Sequence, residues 1–201
     1  MGLIFSFLGQ MFIYGLVAVF LENSLLSRAM GSSTAVWLMR DHRLLLPFGA
    51  VLTATILLSS IGAYFITPWV NQSVYSYELF PLAYSVIICL FYFIAILATI
   101  KVKQPCKQDL RLCIHRSALN SVVLGSVLLS TSYGLDLAGV IGFGLGSGIG
   151  YTLAVWMLRV AAPRLRSKAI PKSFRGFPAM LIYIGVLSLA VYGMIGHTVA
   201  L

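Results

Sequence analysis

Leu21-Glu22-Asn23-Ser24-Leu25-Leu26-Ser27-Arg28-Ala29-Met30-Gly31-Ser32-Ser33-Thr34 interrupts an otherwise apolar stretch running from Leu3 to Met39. As one straight helix that stretch would be about 55 Å long, against a hydrocarbon core of about 30 Å. Breaks are therefore expected at Glu22-Asn23-Ser24 and at Gly31-Ser32-Ser33-Thr34. A second interrupted region, Lys107–Thr131, is broken at Arg116 and at Asn120-Ser121. Two uninterrupted apolar runs follow each region: Leu44–Val70 and Leu79–Ile100, then Leu135–Leu158 and Phe177–Leu201. The chain thus reads as two halves of one membrane domain, 1–103 and 104–201, each a broken helix plus two straight ones.

The composition demands such an architecture. Of 201 residues 60% are hydrophobic and 9% charged, with a mean hydropathy of +0.96. Soluble domains carry about a quarter charged residues, and a small domain leaves much of its surface exposed. The solvent must be lipid, which excludes a soluble enzyme, a secreted disulfide scaffold and a disordered tail. The apolar runs do not alternate, so they are helices and not barrel strands. The fold class is all-α, a polytopic membrane protein.

The formal charge of +9 is arranged by topology. Thirteen of the fourteen Lys and Arg fall in or beside three alternate connections. These hold Arg40 and Arg43; Lys101, Lys103, Lys107, Arg111 and Arg116; and Arg159, Arg164, Arg166, Lys168, Lys172 and Arg175. Arg28 is the exception, and the connections around Asn71–Glu78 and Tyr133–Asp136 have none. This is the positive-inside pattern, not a nucleic-acid footprint. Three spans per half invert the second half relative to the first, as in membrane proteins that hold a site at the midplane. Six spans put both termini outside the cytoplasm. A hairpin of Ile4–Leu21 with Ser24–Met39 would give seven and fit the charges equally; the repeat favours six. With no basic n-region and no small-residue cleavage signal, no signal peptide is expected.

Few residues suggest chemistry. Cys106 and Cys113, near His115, are spaced too widely for a usual zinc site, and with Cys89 they read as free thiols. No Ser-His-Asp or paired-carboxylate set supports hydrolysis. Gly142, Gly144, Gly146, Gly148 and Gly150 lack the strand that a phosphate loop needs and read as close helix packing. Trp37, Trp69 and Trp156 near span ends read as interfacial anchors, and His42, His115 and His197 as boundary residues. Glu22 either pairs with Arg28 or marks a proton or cation path.

At the breaks the sequence resembles a known family. Leu21-Glu22-Asn23 through Leu26-Ser27, Gly31 and Ser33-Thr34 resemble the first broken helix of the Rnf/Nqr membrane subunits, of the A- and E-type in Rnf and the D- and E-type in Nqr. Asn120-Ser121-Val122-Val123-Leu124-Gly125 resembles the second. Gly142-Phe143-Gly144 with Gly146-Ser147-Gly148 resembles the glycine-rich helix. Ile170-Pro171-Lys172-Ser173-Phe174-Arg175-Gly176 and Gly185-Val186-Leu187-Ser188-Leu189 resemble the start and body of the last helix. The joint spacing over nearly the whole chain is what is specific.

The resemblance implies a subunit of an ion-motive electron-transport complex in the bacterial plasma membrane, packed against an oppositely oriented homologue and other complex subunits. On its own the chain is at most a non-catalytic or structural part of that translocase. In the family, two such partners each supply one cysteine per broken helix to a 2Fe–2S cluster. The matching positions here are Ser33 and Ser121, and hydroxyls are poor iron ligands. No cofactor or metal is therefore expected on this chain. The alternative function is a repurposed member, a small transporter, channel or scaffold with no redox role. The break has two readings. In one, Ser33 and Ser121 bond to their own helices while Asn23 and Asn120 satisfy freed backbone groups. In the other, Glu22, Asn23, Arg28, Arg116 and Asn120 line a polar midplane site, with the serines, suited to an anion.

Overall fold

The structure, a computed structural model, describes residues 2–39, 42–73, 75–101, 106–165, 167–168 and 170–195. Among these it is all helix and loop. α1 (Gly2–Leu16) runs into a π-helical turn, Val17–Leu21, where the Glu22 amide reaches back to the Val17 carbonyl at 2.8 Å. After an irregular segment come α2 (Ser32–Leu38), α3 (Leu45–Val70) and α4 (Ser76–Ala98). Then follow α5 (Cys106–Ala118), α6 (Ser121–Ser132), α7 (Leu137–Leu165) and α8 (Phe177–Ile195).

Among the described residues four helical stretches are long and apolar enough to cross a membrane: Ile4–Leu21, Leu45–Val70, Ser76–Ala98 and Leu137–Leu165. Gln108–Ala118 of α5 and α6, bent by 47° to one another, pass the same test as a pair, and Phe177–Gly193 is apolar but shorter. Phe5, Phe12, Leu82, Phe93, Leu97 and Leu189 all lie more than half exposed along these helices, a surface only lipid or a partner can cover.

α7 is the most enclosed helix, and its glycines explain why. Gly142, Gly146 and Gly150 lie against Met11, Gly15 and Val19 of α1 and its π turn, so the helices run parallel. A Cβ at Gly150 would stand 2.9 Å from the Val19 Cα. On the other edge Gly144 faces Leu57 and Gly148 faces Thr53, while Thr152 packs onto Gly49, which makes α3 antiparallel to α7. The glycine ladder is thus two packing edges, each letting a backbone approach closely. Around them Phe48, Leu52, Ile56, Val122, Tyr151 and Leu158 form the core. α1 packs on α7, and α5 with α6 packs on α3.

Four local expectations change. Arg116 does not break its helix, since α5 continues to Ala118 and the interruption is only Leu119-Asn120. Ser32–Thr34 are the first turn of α2, so the first break ends at Gly31. Trp37 is no interfacial anchor: its ring packs edge-on against Phe48 at 6.3 Å, whereas Trp69 is exposed at the end of α3 and Trp156 is exposed within α7, which runs on to Leu165. α7 extends seven residues beyond Leu158, through Pro163. The expected division at 103/104, the end of the last run from Gly196 to Leu201, and His197 lie outside the described residues.

Candidate functional site

The two breaks, ninety residues apart in sequence, meet. The Gly31 amide donates to the Ser121 Oγ at 3.0 Å, and the Tyr151 hydroxyl donates to the Gly31 carbonyl at 2.7 Å. Gly31 has φ +69°, and a Cβ there would come within 2.8 Å of Asn120 Oδ1 and 2.9 Å of the Tyr151 ring. Both the backbone turn and the space therefore require glycine. Just beyond, the Ser24 and Ser126 hydroxyls lie 3.3 Å apart, and Met30 fills the notch over Gly125.

Asn23 organises the first break. Its Oδ1 accepts from the amides of Leu25 and Leu26 at 3.1 and 3.2 Å, and its Nδ2 donates to the carbonyls of Val19 and Gly150, both at 2.9 Å. Away from water an unpaired peptide group costs several kcal/mol, so this buried amide replaces what the lost helix would have supplied. Asn120 caps α6 from an extended conformation, its Oδ1 accepting from the Val122 amide at 3.1 Å, while its Nδ2 is buried without a partner. Thus both asparagines satisfy backbone groups freed by the breaks.

The arginines go to different places. Arg28 donates through Nε and Nη2 to Glu22 Oε2 at 3.2 and 2.9 Å, and through Nη2 to the Tyr133 hydroxyl at 3.3 Å. Glu22 and Arg28 line a cleft of about 500 Å³ between the break and α8, with Ser27, Ser188 and Tyr192. Arg116 instead lies over the Trp37 ring, 4.3 Å from its centroid, a cation–π contact. Ser33 and Ser121 are both exposed. The structure joins Ser121, Asn120, Gly31 and Tyr151 in one cluster and Glu22 with Arg28 in another. Arg116 stands apart from both.

Tyr151, the Tyr133 hydroxyl and the Ser24–Ser126 pair went unread in the sequence, and Trp37 was read only as an anchor. A tyrosine in the middle of an apolar run was the one available signal, because a buried hydroxyl needs a partner.

Thiols are scattered. Cys113 is buried in α5, Cys89 is exposed on α4, and Cys106 begins α5. Among the described residues no three His, Cys, Asp or Glu gather as a metal site would require.

Residues 11–198 match the family model described as Rnf-Nqr subunit, membrane protein. The chain is 25% identical to the A-type component of the Na(+)-translocating ferredoxin:NAD(+) oxidoreductase complex of Acetobacterium woodii, over 89% of this chain and 93% of that one. It is 26% identical to the A-type component of the ion-translocating oxidoreductase complex of Aromatoleum aromaticum, covering 87% and 91%. The component of the same description from Syntrophotalea carbinolica is also 26% identical, covering 89% and 93%.

Proposed function

The chain belongs to the Rnf-Nqr family of membrane subunits, and on that premise we propose that it is a membrane subunit of an ion-translocating oxidoreductase complex that supplies no iron–sulfur ligands of its own. Its full-length relatives are complex subunits by name, which supports the first part of this reading.

The second part rests on the chemistry at Ser33 and Ser121. Each occupies a place where the family resemblance expects a thiolate. Iron–sulfur clusters are held by soft, deprotonated sulfur, and a serine hydroxyl stays protonated at neutral pH. Ser121 Oγ is moreover already engaged by the Gly31 amide at 3.0 Å. Cys113, buried two turns earlier on α5, does not replace it. The residues present do not fit the cluster. This donor set is the observation that carries the reading.

Further parts of the reading follow from the family. The chain forms six spans as an inverted three-plus-three repeat, with α1–α4 in one half and α5–α8 in the other. It sits in a bacterial plasma membrane with both ends outside the cytoplasm. An oppositely oriented homologue packs at the breaks, where Ser33, Leu119 and Ser121 are exposed. The chain's contribution there is structural. The exchange of broken helices between halves supports the repeat, and the charge alternation supports the orientation.

The test is affinity purification of the tagged chain from its native membrane, with anaerobic iron analysis of both the complex and the isolated chain. Oxidoreductase subunits should co-purify, and the isolated chain should bind no stoichiometric iron. Stoichiometric iron on the isolated chain would overturn the ligand-free reading. Recovery without any other oxidoreductase component would favour a member repurposed as a transporter, channel or scaffold, for which the loss of both cysteine positions is the supporting observation.

A further inference from the structure

On the outer side of the α3–α7 contact lies a groove of about 630 Å³. The side chains along its two edges explain it. Ile149, Leu153 and Trp156 stand out exposed from α7, whereas the α3 edge is Ala50 and Ala54, exposed too but carrying only a methyl. Large groups on one edge and methyls on the other leave a trough. Thr53 and Thr152 also line it, and their hydroxyls donate to the Gly49 and Gly148 carbonyls of their own helices at 2.7 and 2.9 Å. Those protons are committed. Among the lining residues only the Trp156 indole keeps a side-chain donor, and it sits at one end.

Length and charge say what fits. The lining runs from Leu45 to Leu57 on α3 and from Trp156 back to Leu145 on α7. The rise from Leu45 to Leu57 is about 18 Å, close to the depth of one leaflet, half of a hydrocarbon core of about 30 Å. A helix from another subunit would need the full thickness and a channel about 10 Å wide. The register of the two helices then places the charges. Leu57 lies against Gly144, Thr53 against Gly148 and Gly49 against Thr152. One turn further, Leu45 comes level with Trp156, and just past them Arg43 comes level with Arg159. From Arg159 to Arg175 the chain carries six Lys and Arg and no acid. The connections at the opposite ends of α3 and α7 hold Glu78 and Asp136 without a basic residue. The groove is therefore apolar along its length and basic at one end.

We propose that it binds an anionic glycerophospholipid, with one acyl chain in the trough between Ala50–Ala54 and Ile149–Leu153 and the phosphate at Arg43 and Arg159. Each arginine already has an interaction within the protein. A guanidinium carries five donors in a fork that takes a phosphate bidentately, so one interaction does not exhaust it. Basic clefts between membrane helices are seats for anionic headgroups. The Trp156 indole stands at the level of the ester oxygens.

The site stands on this chain alone, so it is tested on the purified full chain, delipidated by exchange into mild detergent. Its thermal midpoint is followed as phosphatidylglycerol or phosphatidylcholine is added to the micelles. Phosphatidylglycerol should raise the midpoint saturably, phosphatidylcholine far less, and glycerol 3-phosphate, which has no chain, not at all. Arg43→Gln with Arg159→Gln should weaken the apparent affinity for phosphatidylglycerol by about twenty-fivefold, roughly fivefold per basic residue. Lys168→Gln with Lys172→Gln removes as much charge beyond the end of α7, where exposed charges are screened, and should weaken it less than about threefold. Ala50→Trp fills the trough from an exposed position. It should melt like the wild type without lipid and lose the response to phosphatidylglycerol. Ala54→Phe carries the same test if Ala50→Trp does not fold. Equal responses to the two lipids, equal losses in the two charge pairs, or an undiminished response in the filled-groove variants would each overturn the site. Complex membership is read separately by co-purification and is untouched by any of these results.

Discussion

The two broken helices use the same residue for different ends. Asn23 and Asn120 each turn a side-chain oxygen onto the amide two residues ahead, the Leu25 and Val122 N–H groups. After Asn120 the chain continues directly into α6, so the break is a kink of 47°. After Asn23 it makes only one loose turn, with Ser27 bonded back to Asn23 and Ala29 to Leu25. It then passes through left-handed backbone at Ala29, φ 54°, and Gly31, φ 69°, before α2 begins. The following residues explain the divergence. Val122-Val123-Leu124 continue an apolar face, whereas Ser27-Arg28 are drawn outward by the Leu21 carbonyl and Glu22. The other half of each amide differs too. Asn23 Nδ2 ties the break to Gly150 of α7, and Asn120 Nδ2 ties nothing. One asparagine anchors its break across the molecule, and the other only caps its helix.

That contrast is broken most severely at the helix that anchors the first break. Gly146→Leu would drive a side chain into the Gly15 backbone and the Ala18 Cβ, which lies 2.8 Å from the position its own Cβ would take. Overpacking typically costs about 1–3 kcal/mol where neighbours are side chains that can turn away. Here the obstacle is mainly backbone, so the variant should fail to accumulate or melt far below the wild type. Gly185→Leu, where a Cβ meets nothing within 4 Å, should melt like the wild type in detergent. Equal midpoints would remove the packing role of the ladder.

Next in size comes the asparagine pair itself. Asn23→Leu strips partners from the Leu25 and Leu26 amides and the Val19 and Gly150 carbonyls, and should cost on the order of 3 kcal/mol or more. Asn120→Leu removes one cap bond and also an unsatisfied buried amide, so it should cost about 1 kcal/mol. Unfolding of both variants by denaturant in mixed micelles measures the gap. Equal losses would mean that the tie to Gly150 adds nothing and that the two breaks are equivalent.

The sequence carried the outline of this difference but not its cause. Runs without charge told of helices, and the glycine spacing on α7 told of close packing, because lipid and steric exclusion act on local composition. Glu22 and Arg28, six residues apart, were legible as a pair. Arg28 and Arg116 each precede a serine by five residues. The structure parts them because one sits in irregular chain beside Glu22 and the other on a continuous helix beside Trp37. Such a contact depends on Trp37 of α2 reaching Arg116 of α5, and no local pattern encodes that. Likewise, the bond from Tyr151 to Gly31 spans 120 residues.

The smallest expected effect tests whether the two serines at the family's cysteine positions still differ from each other. Ser121 Oγ accepts the Gly31 amide at 3.0 Å, and Gly31 is held against Asn120 and Tyr151, so its N–H has no room to turn toward another acceptor. Ser121→Ala should therefore cost about 1 kcal/mol, the net worth of one hydrogen bond in a half-buried place. Ser33 lies exposed in the first turn of α2, one position after Ser32 opens the helix behind the Gly31 cap. Its hydroxyl is not needed to close that turn, and Ser33→Ala should fall within about 0.5 kcal/mol of the wild type, as exposed substitutions do. Both are single-atom deletions of the same side chain, so the comparison is free of volume effects. A larger loss at Ser33 than at Ser121 would show that α2, and not the contact between Gly31 and α6, is what holds the first break in place.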